Sequence, residues 1–555
     1  MADLLIVNGA LKTMDAAQPP HAEALAIADG KIVKLGRSRD ILKLKTRNTK
    51  VIDAQGNTIL PGLIESHMHL FYGGAELSML SLDGVFGFDA MVLAIRAYDA
   101  VNPGAGLLVG QQAAYTILGT DRGLIRHDLD KAVPNRPLMV YAPDHHTAWA
   151  NTAALKAAGI LHGRQLTPGH EIVMGADGMA TGELREPEAI GPVSDLAADF
   201  KRARFGISTG GDPEPHPSSA EFEQDIGTIK TALTHLARHG ITSFHNMDGN
   251  FYQMELLAAL EQRGELTARA RMPFHFKPFM PIEAMERARV MAAAYQSPML
   301  RAGVVKMFMD GVVDSGTAVM LDDYPDKPGW RGDPLFAQAQ FNVLATEADR
   351  LGLQIAVHAI GDGAVYSVLN GYAAAQKANG KRDSRHRIEH IEVYSPPDIT
   401  RFKKLGVIAS MQPPHAPGGQ GMPLEPTLTK IGRNKWPYAY GWSKFRKSGV
   451  PLVFGTDWPI SDLNPLRAIH TAVVRKPWEK GLPNNAQSLD DAIASYTSIG
   501  AYAEFAESWK GQLKRGFAAD VVVLDRKLSE GDPDTILNAK PVLTVTGGKI
   551  VYKSM

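Results

Sequence analysis

The chain has 555 residues, several times the usual single-domain size, so one large domain with at least one smaller companion is expected. Lys plus Arg and Asp plus Glu both number 59, which leaves no net charge and no basic face for nucleic acid or an anionic membrane. Cys is absent, which excludes disulfides, thiolate metal sites and cysteine nucleophiles together; metal chemistry would have to use His, carboxylate or a modified lysine.

The first stretch, MADLLIVNGALKTMD, lacks the basic region and apolar run of a signal peptide. Nowhere do ~18 apolar residues follow one another. A cytoplasmic location is therefore expected. DLLIVNGAL, AEALAIADGKIVKLG (22–36) and VIDAQGNTIL read as short strands, the second folded at Asp-Gly, and PVLTVTGGKIVYK (541–553) repeats that hairpin pattern at Gly-Gly. With ADVVVLD they predict a small β-sandwich assembled from both ends of the chain, residues 1–58 plus 506–555.

Between them, residues 59–505 alternate apolar runs with amphipathic stretches closed by Gly, the pattern of parallel β/α units. The strand candidates are TILPGLIESH, GITSFHNM (240–247), ARMPFHF (270–276), GVVKMFMDG (303–311), LQIAVHAIG (353–361), RHRIEHIEV (385–393), GVIASMQPP (406–414) and PLVFGTDWP (451–459). Eight such units predict a (β/α)8 barrel, with residues of about 75–220 as an insertion after the first strand.

Active sites of such barrels lie at the C-terminal strand ends. His67 and His69 end the first candidate strand, Lys306 sits in the fourth, His358 and His390 end the fifth and sixth, and Asp457 ends the eighth. Alternate strand residues share a face, so His67 and His69 point together, as two ligands of one metal would, or as a hydrogen-bonded core pair would. An ammonium at Lys306 among Val304, Val305, Met307 and Phe308 is costly unless it is altered or paired, for instance with Asp310. His358 and His390 could be core histidines, and His386 has the parity of His390. Asp457 could cap a helix instead of meeting a cation. One metal site at one end of one barrel explains all six positions.

PGLIESHMH, VVKMF.DG, VHAIGD, RIEH and GTDWP, in that order, resemble the amidohydrolase superfamily, family 3, the branch that includes N-substituted formamide deformylases. The resemblance spans essentially the whole chain. It implies that His67 and His69 hold one divalent metal and His358 and His390 a second, zinc being the expected ion and one or two ions per subunit the expected occupancy. It implies Lys306 as N6-carboxylysine bridging the two, and Asp457 as metal ligand, general base and then general acid. The reaction expected is hydrolysis of a C–N bond in a small amide by metal-activated water. A deaminase, a carbamate or cyclic-amide hydrolase, a decarboxylase and an inactive barrel used for binding remain alternatives on the same fold. A homodimer or larger assembly is expected from how such barrels commonly assemble.

YAPDHHTAWANTAAL (141–155) matches a further family signature at Asp144, His146, Trp149 and Asn151. His146, Trp149, Tyr115, His245, His415 and Trp458 are the candidate substrate-contacting residues, with a capping network as the other reading of the signature. Where relatives often carry Arg, this chain has Gly316, which favours neutral substrates; Phe86, Phe88, Tyr115, Trp149 and Trp458 favour bulky or aromatic ones. GISTG (206–210) matches a serine-hydrolase nucleophile motif but lacks the strand before and the helix after it, so Ser208 is not expected to be a nucleophile.

Overall fold

Eight of the apolar runs become parallel strands of one sheet: β1 (Leu63–Met68), β2 (Ile241–Asn246), β3 (Arg269–His275), β4 (Leu300–Phe308), β5 (Gln354–Ala359), β6 (Arg387–His390), β7 (Ile408–Met411) and β8 (Leu452–Phe454). Each is hydrogen-bonded to the next in chain order. The ring closes at the mouth, where the Asp457 amide donates to the His67 carbonyl and the His69 amide to the Trp458 carbonyl, both at 2.8 Å. This is the (β/α)8 barrel that the alternating pattern predicts. The computed structural model describes residues 2–17, 22–119, 121–143, 145–166, 170–420 and 422–555.

The strands are buried on both faces, hence their continuous apolar runs. The helices outside follow local rules. In α1 (Gln338–Arg350) Phe341, Leu344, Ala345 and Ala348 make the inward stripe, and α2 (Asp362–Asn379) repeats the spacing with Val365, Val368, Leu369 and Tyr372. α3 (Pro396–Leu405) begins with proline, carries Lys403 and Lys404 in its last turn and stops at Gly406, whose φ of 70° is the left-handed cap.

Barrel interiors are usually filled by branched aliphatic residues. This one is charged. Register places Lys306, Ala356 and Arg387 in one row and Phe308, His358, Glu389 and Ser410 in the next. Ser243 and His245 of β2 stand level with Arg269 and Arg271 of β3.

The terminal strands form two sheets. One has the order Lys31–Gly36, Ala24–Ala28, Leu4–Val7, Lys50–Asp53; the other Ala10–Leu11, Thr58–Pro61, Val521–Leu524, Pro541–Thr546, Lys549–Lys553. Leu4, Ile6, Leu25, Ile27, Ile59, Val521, Val523, Leu543 and Val545 from both sheets meet in one core, so the ends of the chain build a sandwich. Thr58–Pro61 still belongs to it, and the chain turns into the barrel at Gly62. A Cβ there would stand 2.1 Å from Thr242 Oγ1, so no larger residue fits the passage.

By contacts the chain divides into two compact units, residues 1–69 with 230–555, and residues 70–229. The second has its own six-stranded sheet, in the order Glu171–Met174, Ala180–Arg185, Thr147–Ala150, Leu138–Tyr141, Leu108–Gln111, Leu80–Ser81, with its own hydrophobic cores. Among the described residues no helix is long and apolar enough to cross a membrane.

Candidate metal centre

His67, the penultimate residue of β1, and His69, just beyond it, present their Nε2 atoms to one carboxylate oxygen. Asp457 Oδ1 lies 3.3 Å from His67 Nε2 and 3.1 Å from His69 Nε2. The far side of each ring is fixed. His67 Nδ1 is 2.7 Å from Glu389 Oε2 and His69 Nδ1 is 2.8 Å from Asp248 Oδ1. A carboxylate accepts, so both Nδ1 atoms carry the proton and each Nε2 is the nitrogen that can bind a cation.

Asp457 also faces a second group. His390 Nδ1 is 4.0 Å from Asp457 Oδ2, and the His390 and His415 rings lie parallel within 8° at 6.1 Å. His67, His69 and Asp457 form one set whose ligand atoms all lie within 4.8 Å, and His390, His415 and Asp457 form another. His358 adjoins the second set, 4.4 Å from His390 between ring centres. Its Nε2–H donates to the Gly311 carbonyl at 3.0 Å, so the lone pair sits on Nδ1.

Lys306 is fully buried, its Nζ 4.7 Å above the Phe308 ring, which itself stacks 4.6 Å from His358. The ion pair with Asp310 does not form. Asp310 instead accepts from the amides of Val319, Ile360 and Gly361 at 2.9–3.0 Å and ties the loops after β4 and β5 together.

Backbone geometry is unusual at the ligand positions. His390 has a φ of 76° and Asp457 of 60°, left-handed conformations that cost roughly 1–3 kcal/mol each for such residues. Asp457 is no helix cap, since Asn464 caps the helix that follows. Gly455 gives the room that brings β8 against β1; a Cβ there would stand 2.6 Å from the His67 amide nitrogen.

Burial disfavours charge on every group here, and partners decide which stay charged. For Asp457 burial is outweighed by His67, His69 and His390, which hold it well below the usual carboxylate range. Glu389 is likewise held low, by Arg387, His67 and Lys306 against burial. His69 is pushed up to about 9, burial being overcome by Asp248 and Asp457. Burial, with His358 and His67 beside it, drives His390 well below its ordinary value. Lys306 is lowered to about 8 by burial, with Glu389 and Asp457 opposing.

Lys306 Nζ, His390 Nδ1, His415 Nε2 and Asp457 Oδ1 are buried without a hydrogen-bond partner among the described residues. Unpartnered buried polar atoms are expensive. Imidazole nitrogens and a carboxylate left this way fit a divalent cation of the kind that nitrogen and oxygen donors hold.

The amidohydrolase family profile matches residues 50–552. The chain belongs to the amidohydrolase family. Membership makes it a hydrolytic enzyme acting on carbon–nitrogen bonds. Among relatives, Protein LONG AFTER FAR-RED 3 of Arabidopsis thaliana is 28% identical, covering 100% of this chain and 92% of that protein. An N-substituted formamide deformylase of Arthrobacter pascens is 24% identical over 95% of this chain and 94% of that one. The structure of an uncharacterized metal-dependent hydrolase from Pyrococcus furiosus has the same fold, with a TM-score of 0.71 at 24% identity, over 96% of this chain and 99% of that chain.

Within this family member the other candidates take varied places. His415, expected only to line the pocket, stands in the second ligand set. His245 does not line the mouth; it is buried in the barrel interior, 2.7 Å from Arg387 Nη1, because its strand position points it inward below the rim. His386 precedes β6 and donates from Nε2 to Asp349 while its Nδ1 accepts from the Ile355 amide, a structural role. The Trp458 ring lies 5.5 Å from that of His235. In the second unit Tyr115 and Trp149 pack edge to face at 5.4 Å, with Trp149 in a core there instead of on a surface, and His146 pairs with Glu186 at 2.8 Å. Asn151 caps the helix Thr152–Ala157, as the capping reading of the signature requires; Asp144 lies outside the described residues. Ser208 ends a helix and donates to the Arg204 carbonyl, far from a nucleophile elbow. Gly316 has a φ of 73°, a turn position suited to glycine.

Asp248, Glu389 and Arg387 escape a reading that searches for ligands. A signal exists for two of them: Arg-X-Glu in RIEH puts a matched charge pair on one strand face, directly before His390.

Proposed function

We propose that the barrel mouth holds one or two divalent cations and hydrolyses the C–N bond of a small, neutral amide. The convergence of His67 Nε2 and His69 Nε2 on Asp457 Oδ1 at 3.1–3.3 Å carries this reading. His67, His69 and Asp457 would hold the first cation, and His358 or His415 with His390 the second. A cation bound there would acidify water and polarise a carbonyl. Lys306 would offer the cations an anionic oxygen ligand if its neutral amine adds CO2, forming an N–C bond and releasing one proton. Its lowered basicity makes that amine available.

Asp457 would take both proton steps. Ionised at the barrel rim, it would accept a proton from the attacking water at Oδ1 or Oδ2. It would then return that proton to the departing nitrogen, so that the C–N bond breaks to an amine and a carboxylic acid, which ionises by releasing its proton to solvent. The formamide deformylase relative and the lack of a cationic side chain at Gly316 support a neutral, N-substituted substrate.

Amine release from formanilides, N-benzylformamide, N-acyl amino acids and cyclic amides, with Zn2+ or Mn2+ added to chelator-treated protein, tests the proposal. Cation-dependent release from the formamides is expected. Turnover by the metal-free protein, or release of ammonia in place of a substituted amine, would overturn it.

A further inference from the structure

The barrel interior holds more charge than ligands at its rim require, and the charges are joined in one line. Arg387, fully buried at the start of β6, donates from Nε to Glu389 Oε1 at 2.7 Å and from Nη2 to Glu389 Oε2 at 2.9 Å. This is the two-pronged match of guanidinium and carboxylate. Glu389 Oε2 in turn accepts from His67 Nδ1 at 2.7 Å.

The rest of the guanidinium is pinned by three other strands. Nη2 shares its two hydrogens among Glu389, the Ser66 carbonyl of β1 at 2.7 Å and Ser410 Oγ of β7 at 2.9 Å, and Nη1 meets His245 Nδ1 of β2 at 2.7 Å. Arginine only donates, so His245 Nδ1 is the bare nitrogen and Nε2 carries the hydrogen; Nε2 lies 3.4 Å from Glu504 Oε1. Glu504 Oε1 is 2.6 Å from Lys510 Nζ, which also donates to Ser243 Oγ at 2.7 Å. Close charged contacts therefore connect Lys510 and Glu504 through His245, Arg387 and Glu389 to His67.

We propose that Arg387 is a positioning residue for the cation site, acting through Glu389 on His67, with His245 keeping the guanidinium in place. The proposal rests on the metal-site reading above. Two requirements must be met at Glu389 together: its buried charge must be matched, and one oxygen must stay directed at His67 Nδ1. A planar fork satisfies both, because it engages the two oxygens from one side and leaves the second lone pair of Oε2 for the imidazole. Lysine, a point charge without a fork, matches the charge and leaves the carboxylate free to rotate. With Nδ1–H held by Glu389, His67 offers Nε2 toward Asp457 and no other nitrogen.

Co2+ titration of chelator-treated protein, followed by the visible spectrum of the bound ion, tests this beside thermal unfolding of the metal-free chains. Arg387→Met is expected to weaken Co2+ binding by about 10- to 100-fold and to alter the spectrum. Arg387→Met combined with Glu389→Gln removes the unmatched charge yet keeps an amide oxygen for His67 Nδ1–H, and is expected to regain part of that affinity. A purely structural arginine predicts the opposite, the double variant binding no better than the single. Arg387→Lys, the milder change should the methionine variant not fold, is expected to bind more weakly than the parent; parental affinity and spectrum in either single variant overturn the role of Arg387. A parent chain that takes up no Co2+ overturns the metal reading itself, a result distinct from any of these.

Discussion

Asp457 and His67 meet twice: the Asp457 amide donates to the His67 carbonyl at 2.8 Å, and Asp457 Oδ1 lies 3.3 Å from His67 Nε2. The bond that closes the barrel and the contact that prepares the site are thus made by the same two residues. Folding of the last strand against the first is what assembles the candidate ligands.

Replacing Asp457 by Asn separates binding from proton transfer. The amide oxygen can still face His67 and His69, but the side chain no longer accepts a proton. Turnover should fall by at least ~10²-fold while bound metal stays near the parent's. Elemental analysis and initial rates on one preparation measure both, and parental turnover would remove Asp457 from the chemistry.

Gly455→Ala strikes the seam from the other side. The added Cβ would stand 2.6 Å from the His67 amide nitrogen and 2.7 Å from Glu65 Oε1. Both neighbours belong to packed β1, so the strand must shift. A loss of about 1–3 kcal/mol in urea unfolding is expected, together with weaker metal binding. Unfolding and metal uptake like the parent's would show that β8 tolerates a wider seam.

At Lys306 the expectation concerns CO2. Metal reconstitution of chelator-treated protein should be slower in CO2-free buffer and restored by bicarbonate. Lys306→Ala should lose this bicarbonate response. Equal reconstitution of the parent with and without bicarbonate would mean that the lysine acts unmodified.

Acid sensitivity should come partly from Asp349. Burial would raise its carboxyl from the ordinary 3.8, but His386, Asn379 and Arg382 hold it down to about 2. A carboxyl depressed on folding contributes stability that is complete above its unfolded value and fades as pH falls toward the folded one. The stability gap between the parent and Asp349→Asn, read from urea midpoints, should therefore be constant above about pH 5 and narrow between pH 4 and 2. A gap that widens on acidification would contradict the assignment.

Much of this architecture was legible in the chain because its signals are local. Strand alternation, Gly-closed helices and the repeated Lys-Ile-Val hairpins each depend on a few consecutive residues, and all eight barrel strands appear where those patterns fall. His67, His69, Lys306, His358, His390 and Asp457 are marked by side-chain chemistry, by position in or at the end of a strand and by the family motifs, and the barrel brings them to one rim. His245 shows the limit of that rule: it too sits near a strand end, yet its ring turns into the interior and meets Arg387.

Fold class, the barrel rim as the place for chemistry and the residue types available there are readable along the chain, since they follow from periodicity and side-chain chemistry. It takes the folded barrel to show that His415 joins His390 and Asp457, that Asp310 turns to backbone amides instead of Lys306, and that Glu389 holds His67 across 322 residues of chain. Those relationships are set by strand register and ring closure. Both bring together residues far apart in sequence, and no local pattern encodes their distances or which nitrogen of a histidine is left to bind.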